Sequence, residues 1–119
     1  MSSLLEEEDP SNINIPKVLV NSHDTLIYMS RLPIPGKKDV ASNVTYKKQI
    51  CIYAFNKLEL AAFSSFTSKP SYEASEDIEI LRFFDLNIPV KMVEVGAKSL
   101  AVDIPEDVAK VENELNKRI

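Results

Sequence analysis

The segment Ser99–Val108 constrains the fold most, because its composition changes from strand-like to helix-like over a short distance. A short apolar run ends at Asp103, and Pro105 suits a first helical position, where a missing N–H costs little. Beyond it, apolar side chains recur at the period of an amphipathic helix: Val108, Val111, Leu115 and Ile119. The segment predicts a strand running into a helix, with Asp103 at the strand's carboxyl end, where open α/β sheets bind ligands.

Asp103 itself has two interpretations. As a helix N-cap, its carboxylate would accept a hydrogen bond from the first turn, and Glu106 would complete a capping box. As a hard oxygen ligand, the same carboxylate would suit a magnesium ion. The residue pattern favours the cap, because caps of this form are common. A register with Ile104 as the cap would leave Asp103 free, but isoleucine is a poor cap residue.

Length and composition indicate one globular domain over residues 1–119, since this length with 45% apolar residues suffices for one modest core. The net charge of −4 argues against nucleic acid as a partner, and no apolar run is long enough for a membrane span. The acidic start differs from a signal peptide, and a single cysteine is compatible with a cytoplasmic location. Because Cys51 lies in an apolar run, we expect it to be buried.

Glycine is scarce: only Gly36 and Gly96 occur. A loop that cradles phosphates needs several glycines close together, so that the backbone can approach the ligand. The sequence therefore weighs against independent nucleotide binding.

Turn and strand signals divide the chain into four parts. They are a frayed start at 1–12, a β-hairpin at 17–30, a loop at 33–46 and an α/β part at 49–119. The hairpin turn is expected at Asn21–Asp24, which has turn composition. The only histidine, His23, falls in this turn, so we expect a solvated side chain and not a catalytic base.

The α/β part alternates strand-like and helix-like segments. It begins with a predicted strand at Gln49–Phe55, covered on both faces. Two helices follow: one is capped by Asn56 with Glu59 and buries an apolar side that includes Leu58, and the other spans 71–86 and is capped by Ser71. Further strands are predicted at Val90–Val95 and before Asp103. The predicted fold class is α/β, with a mixed β-sheet, a β-hairpin and about three helices.

The second predicted helix carries Glu73, Glu76 and Glu79 at a spacing of three, which places them on one face. Arg82 lies three residues beyond Glu79 and can pair with it. The pattern favours a solvated acidic face; the alternative is a polar site for a hydroxyl-rich ligand, because carboxylates accept hydrogen bonds from sugar hydroxyls.

Four segments, in chain order, together resemble one family. They are Tyr28–Pro35 (aromatic-x-Ser-Arg-x-x-Ile-Pro), Ile52–Phe55 (Ile-Tyr-Ala-Phe), the acidic helix with Glu73, Glu76, Glu79, Leu81 and Arg82, and Val102–Val108 (Val-Asp-Ile-Pro-Glu-Asp-Val). The chain resembles 3-deoxy-manno-octulosonate cytidylyltransferase, also called CMP-Kdo synthetase. The resemblance spans residues 9–118 and only the C-terminal half of that family.

This resemblance implies the C-terminal half of a nucleotide-sugar transferase with a Rossmann-like fold. The family joins CTP and Kdo into CMP-Kdo and pyrophosphate with magnesium, in lipopolysaccharide biosynthesis. The matching half binds the sugar acid and forms a homodimer near the hairpin and the Ile-Pro loop. Because the nucleotide-binding half has no counterpart here, the chain alone is expected to be catalytically incomplete. The alternatives are one chain of a split enzyme, with a separate nucleotide-binding chain, and a non-enzymatic binding or self-association module.

The resemblance also assigns expected roles to individual residues. It makes Asp103 a magnesium ligand, which gives the magnesium interpretation of Asp103 the same weight as the cap interpretation. It places Arg31, Gln49, Tyr53 and Glu79 around the sugar acid. Four positions depart from the family: Gln49 replaces a histidine, Cys51 a glycine, Ile80 a glutamine and Ile104 the capping threonine. Sugar specificity is therefore expected to be altered.

Overall fold

The computed structural model describes residues 1–96 and 100–119. Its strands are β1 (Ser2–Ser3), β2 (Lys17–Val20), β3 (Leu26–Ser30) and β4 (Lys47–Lys48). Its helices are α1 (Lys57–Ser64), α2 (Ser71–Glu76), α3 (Arg82–Asp85) and α4 (Pro105–Lys117), with a 3₁₀ turn at Glu79–Leu81. The α/β fold class is confirmed, although every strand pair in the described ranges is antiparallel. No helix in these ranges is long and apolar enough to cross a lipid bilayer.

The predicted hairpin is present as β2 and β3, at one side of a sheet with the order β1-β4-β2-β3. Its turn closes because the Asn21 side chain accepts hydrogen bonds from the backbone N–H groups of His23 and Thr25, at 2.9 and 3.0 Å. Asp24 adopts a left-handed conformation with φ of 58°, which aspartate tolerates better than most residues. The exposed turn leaves His23 solvated, as expected.

The core forms where one face of the hairpin meets the segment after α2. Strand alternation turns Val18 and Met29, which are paired across the hairpin, to the buried face. The other buried apolar side chains are Met1, Leu26, Ile78, Ile80, Leu81, Phe83 and Met92. The segment 33–46 has no helix or strand.

The start of the chain is ordered, so the predicted fraying of residues 1–12 is wrong. Met1 and Ser2 are buried, and β1 pairs with β4. Glu8 and Lys48 form a buried ion pair that holds the next turn against β4. The acidic composition suggested solvation, but a lysine on the sheet supplies the opposite charge.

The predicted buried strand at Gln49–Phe55 is not formed. Only Gln49 continues the ladder, by donating its N–H to the Pro16 carbonyl at 3.0 Å. Ile52 is 83% exposed, and Cys51 is exposed where burial was expected. An apolar run forms a two-sided strand only when both faces are covered, and the described residues cover one side alone, through Phe55 stacked on Phe83.

The single helix predicted over 71–86 is broken. It ends at Asp77, which is left-handed with φ of 52°, and continues as the 3₁₀ turn and α3. Pro70, not Ser71, occupies the N-cap position. The break is held from outside, because Arg31 donates hydrogen bonds to the last carbonyls of α2, those of Glu76 and Asp77.

The predicted cap of α1 is confirmed. Asn56 accepts from the Glu59 N–H at 2.9 Å, and the Glu59 carboxylate accepts from the Asn56 N–H at 2.7 Å. However, α1 fully buries none of its residues and Leu58 is exposed, so only the Phe63 end of its predicted apolar side packs, with the Phe63 and Phe83 ring centroids 5.6 Å apart. The capping signal is local, so it forms the start of α1 although the adjacent Leu58 is exposed.

The last two predicted strands are also absent as regular elements. Val90–Val95 contributes one isolated antiparallel bridge, between Lys91 and Thr25. The strand expected before Asp103 falls partly on residues 97–99, outside the described ranges, and 100–104 contain no strand. The helix after Pro105 is present as α4.

Candidate functional site

Two of the predicted ligand residues, Arg31 and Gln49, lie at the same edge of the sheet. Strands β3 and β4 are both antiparallel to β2, so their carboxyl ends lie at the same edge. Arg31 follows β3 and Gln49 follows β4, and between them β2 begins at Lys17. The sheet topology therefore places Arg31 and Gln49 on either side of the start of β2, although they are distant in sequence.

Arg31 is held in place by three backbone carbonyls. Its guanidinium donates to Glu76 O, to Ile13 O at 2.8 Å and to Asp77 O at 3.0 Å. A guanidinium carries five N–H donors, so these bonds leave two for a ligand. Arg31 thus joins the end of β3 to the end of α2 and keeps donor capacity at the edge.

The Glu76 carboxylate accepts hydrogen bonds from polar groups in and just after β3. Its carboxylate accepts from the Ser30 hydroxyl at 2.7 Å, from the Arg31 N–H at 2.9 Å and from the Tyr28 hydroxyl at 3.4 Å. The predicted solvated acidic face is therefore wrong for Glu76, which points into the protein.

Lys17 adds a cation to the edge. Its side chain is buried and donates to the Asn12 carbonyl at 2.8 Å. Burial lowers the pKa of Lys17, and the positive charge of Arg31 lowers it further. Two cationic side chains therefore lie near one another at this edge.

Gln49 and Tyr53 are in direct contact. The Gln49 side-chain amide donates to the Tyr53 hydroxyl. Burial raises the pKa of Tyr53 above its ordinary value, and nearby Cys51 and Glu79 raise it further. The Tyr53 hydroxyl therefore stays protonated at neutral pH and can donate a hydrogen bond.

Glu79 and Glu73 have separate environments, contrary to the predicted shared face. Glu79 begins the 3₁₀ turn and is exposed. Glu73 is 1% exposed and binds Arg82 through both oxygens, each at 2.6 Å. The predicted Arg82–Glu79 pair is therefore wrong. The break at Asp77 rotates Glu79 away, so that Glu73 faces Arg82 instead.

Arg82 is held on several sides. Its guanidinium lies 3.9 Å from the Phe63 ring centroid, which is a cation–π contact. It also donates to the Phe63 carbonyl at 3.2 Å. The hydrogen bonds with Glu73 raise the pKa of Arg82, so this cation is stabilised by contacts within the chain.

An apolar cavity of about 520 Å³ lies next to Tyr53. Ile80 lines it and is almost fully buried, at a position where the resemblance implied a sugar contact. Glu59 also lines the cavity, but one of its carboxylate oxygens caps α1. The cavity therefore presents mainly hydrocarbon.

Asp103 does not cap α4. The helix begins after Ile104, and the Asp107 carboxylate accepts from the N–H groups of Asp103 and Ile104 at 3.2 and 3.3 Å. An ion pair with Lys110 lowers the pKa of Asp107, and these backbone bonds lower it further. Asp107 thus performs the role that the pattern assigned to Glu106, accepting from the N–H of the N-cap residue, which is Ile104. The sequence signal that was missed is the acid at the third helical position.

The carboxylate of Asp103 is therefore exposed, and it borders a cavity of about 280 Å³ between α4 and the first residues of the chain. Residues 1–96 and 100–119 contain no group of three or more histidine, cysteine or acidic side chains placed to hold a metal. Magnesium often uses only one or two protein carboxylates, together with water and phosphate oxygens. Asp103 fits as one such ligand, and the described residues provide no complete set.

No protein-family model matches the chain. Curated relatives do. A 3-deoxy-manno-octulosonate cytidylyltransferase of Christiangramia forsetii is 41% identical over 109 residues, which are 90% of this chain and 43% of that protein. One of Flavobacterium johnsoniae is 36% identical over 110 residues, which are 92% of this chain and 45% of that protein.

A solved structure has the same fold. It is a CMP:2-keto-3-deoxy-manno-octonic acid synthetase complexed with CTP, with a TM-score of 0.79 and 28% identity. The match covers 99% of this chain and 48% of that one, so the chain spans less than half the length of these relatives. By sequence and by fold, the chain corresponds to the C-terminal part of the 3-deoxy-manno-octulosonate cytidylyltransferases.

Proposed function

We propose that this chain is the sugar-acid-binding and dimerisation part of a cytidylyltransferase and is catalytically incomplete by itself. The observation that carries the proposal is the sheet edge where Arg31 and Gln49 lie on either side of β2, with Gln49 bonded to Tyr53. In addition, relatives of that activity match nine tenths of the chain.

The edge has the chemistry that a sugar acid requires. The free donors of Arg31 and the nearby charge of Lys17 favour a carboxylate. The Gln49 amide, the Tyr53 hydroxyl and the exposed Glu79 carboxylate provide donors and acceptors for hydroxyl groups. In this role Arg31 orients the acid group, while the other three bind the sugar body.

Catalytic incompleteness follows from what a triphosphate requires. Stabilising phosphate charge takes converging backbone N–H groups or cations. The two glycines are far apart in sequence, and Arg82 is already committed to Glu73 and Phe63. Asp103 would be one magnesium ligand, and a bound magnesium ion would neutralise phosphate charge. The remaining contacts must then come from a nucleotide-binding part. The proposal includes a cytoplasmic location, which suits a chain with one unpaired cysteine.

Calorimetry with Kdo, with and without magnesium, tests the binding role. We expect Tyr53→Phe and Gln49→Ala each to weaken binding about ten-fold, as for one lost hydrogen bond to a buried partner. Ser42→Ala, in the exposed 33–46 segment, is the control and should bind like the parent chain. Equal affinity for all four proteins would refute the proposed site.

Pyrophosphate release tests the incompleteness. Purified chain with CTP, Kdo and magnesium should release no pyrophosphate above background. Turnover by the chain alone would contradict the proposal.

A non-enzymatic binding module is the second candidate, and the burial of Ile80 in the core favours it. A sugar hydroxyl meets hydrocarbon at this position, so another acid could bind better. The same calorimetry with a series of sugar acids separates the candidates, because a retuned module prefers an acid other than Kdo.

A further inference from the structure

The apolar cavity beside Tyr53 has the size and the lining of a ligand pocket. Its volume of about 520 Å³ lies within the range of about 300–1,000 Å³ that is usual for small-molecule sites. Buried hydrocarbon forms its inner wall, because Ile80, Phe83 and Met92 are each at most 6% exposed. A group that enters this cavity exchanges water for hydrocarbon, which favours an apolar group.

The charged side chains that line the cavity already have partners within the chain. The Lys91 ammonium donates to the His23 carbonyl, and one oxygen of the Glu59 carboxylate accepts from the Asn56 N–H at 2.7 Å. Burying a hydroxyl group without a hydrogen-bond partner is unfavourable. The cavity therefore favours a hydrocarbon group over a hydroxyl group of the same size.

Tyr53 joins this cavity to the polar groups of the proposed sugar-acid site. It lines the cavity, and its hydroxyl accepts a hydrogen bond from the Gln49 amide. Glu79 and Ile80 are adjacent in the 3₁₀ turn. Glu79 is exposed and lies near enough to Tyr53 to interact with it electrostatically, whereas Ile80 is buried in the cavity wall. A ligand bound by Gln49, Tyr53 and Glu79 therefore has the cavity directly beside it.

Resting on the proposed function, we propose that the acid bound at this site carries an acyl or alkyl substituent that occupies the cavity, with Ile80 as the residue that selects it. The substrate class is then an acylated sugar acid and not a fully hydroxylated one. Isoleucine has no hydrogen-bonding atom in its side chain, so it selects by apolar contact alone. Each methylene that leaves water adds about four-fold in affinity.

Calorimetry of the full chain with Kdo and with a series of N-acylneuraminic acids tests the proposal. The N-acetyl, N-propanoyl and N-butanoyl acids lengthen the acyl chain by one methylene at a time. The N-glycolyl acid has as many non-hydrogen atoms as the N-propanoyl acid but ends in a hydroxyl group, so it is the matched polar control.

We expect affinity to rise about four-fold from the N-acetyl to the N-propanoyl acid, and to rise again with the N-butanoyl acid. The N-glycolyl acid should bind about ten-fold more weakly than the N-propanoyl acid, because its hydroxyl group meets hydrocarbon. Saturation-transfer NMR should show the strongest contact at the terminal methyl group of the acyl chain.

Ile80→Gln places an amide in the cavity wall, and should make the N-glycolyl acid bind at least as tightly as the N-propanoyl acid. Ile27→Gln makes the same change on β3, at a side chain that is 49% exposed and outside the described lining of the cavity, and should keep the parent order. Because Ile80 is buried, circular dichroism must first show that Ile80→Gln is folded. If it is not, the acyl series with the parent chain decides.

The proposal would be overturned by equal affinity of the parent chain for the N-glycolyl and N-propanoyl acids, by no gain with acyl length, or by binding of Kdo alone. An unchanged order in folded Ile80→Gln would overturn the selecting role of Ile80. If neither Kdo nor any acylated acid binds, the proposed function fails together with this inference, so the two failures are distinguishable.

Discussion

The hairpin, with the helices packed on it, differs from the open surface, which consists of Ile50–Phe55 with Leu58 and Leu60 of α1. The difference lies in how many polar groups are hydrogen-bonded and how many apolar side chains are buried. Around the hairpin, Glu73, Glu76 and Arg31 each make several hydrogen bonds within the chain. At the open surface, the side chains of Ile52 and Leu58 are more than three-quarters exposed, and the described residues place no strand beside Ile50–Phe55. The contrast teaches that one part of this sequence folds against itself, while the other has an apolar composition suited to burial and still exposes several of its side chains.

The largest expected effect comes from the buried ion pair of the first region. Glu73→Ala leaves Arg82 partly buried without its counter-charge, and should lower the free energy of unfolding by about 3 kcal/mol or more. Urea unfolding measures it. Glu112→Ala, an exposed acid on α4, should change stability by less than about 0.5 kcal/mol. Similar losses for both variants would mean that the buried Glu73–Arg82 pair contributes no more to stability than an exposed acid does.

Core truncation should cost nearly as much. Leu81 is fully buried, so Leu81→Ala should destabilise the chain by about 2–5 kcal/mol in the same urea experiment. Leu58→Ala removes the same atoms from the open surface and should cost less than about 0.5 kcal/mol. A large loss from Leu58→Ala would mean that the Leu58 side of α1 is packed in solution and that the open surface is already covered.

The next largest loss of stability is expected from removing the Arg31 side chain, which links the end of β3 to the end of α2. Arg31→Ala removes hydrogen bonds to the carbonyls of Ile13, Glu76 and Asp77 and should cost about 1–3 kcal/mol. Arg31→Lys should not restore stability, because a single ammonium cannot reach three separated acceptors. Full recovery with lysine would show that the charge matters and the guanidinium geometry does not.

The smallest stability effect is expected at the start of α4, and it depends on pH. The pKa of Asp107 is lowered in the folded chain, so its stabilisation is present above the ordinary aspartate pKa and is lost as pH falls through the lowered value. Asp107→Asn should therefore lower the urea midpoint at pH 7 and leave it unchanged in strong acid. Asp103→Asn should be neutral at pH 7, and a reversed order would restore Asp103 as the cap.

Local features could be predicted because their partners are close in sequence. The Asn56–Glu59 capping box, the turn at Asn21–Asp24 and the start of α4 at Pro105 each involve neighbouring residues. The spacing of the three glutamates predicts one shared face only if the helix is uninterrupted. The helix breaks at Asp77, where the carbonyl accepts a hydrogen bond from Arg31, a residue distant in sequence. The contact between the predicted ligand residues Gln49 and Tyr53 spans only four positions in sequence. Arg31 comes to the same edge only because β3 and β4 both pair with β2.

By itself the sequence determined the cap of α1, the hairpin and the resemblance to the family, since short-range hydrogen bonds and ordered motifs need no knowledge of distant contacts. Only the tertiary structure decided which acids are buried, because Glu73 requires Arg82 and Glu76 requires the end of β3. It also decided that Ile50–Phe55 pairs with no strand among the residues that the structure describes. An apolar pattern records that a segment is suited to burial, but burial itself depends on a second surface to exclude water.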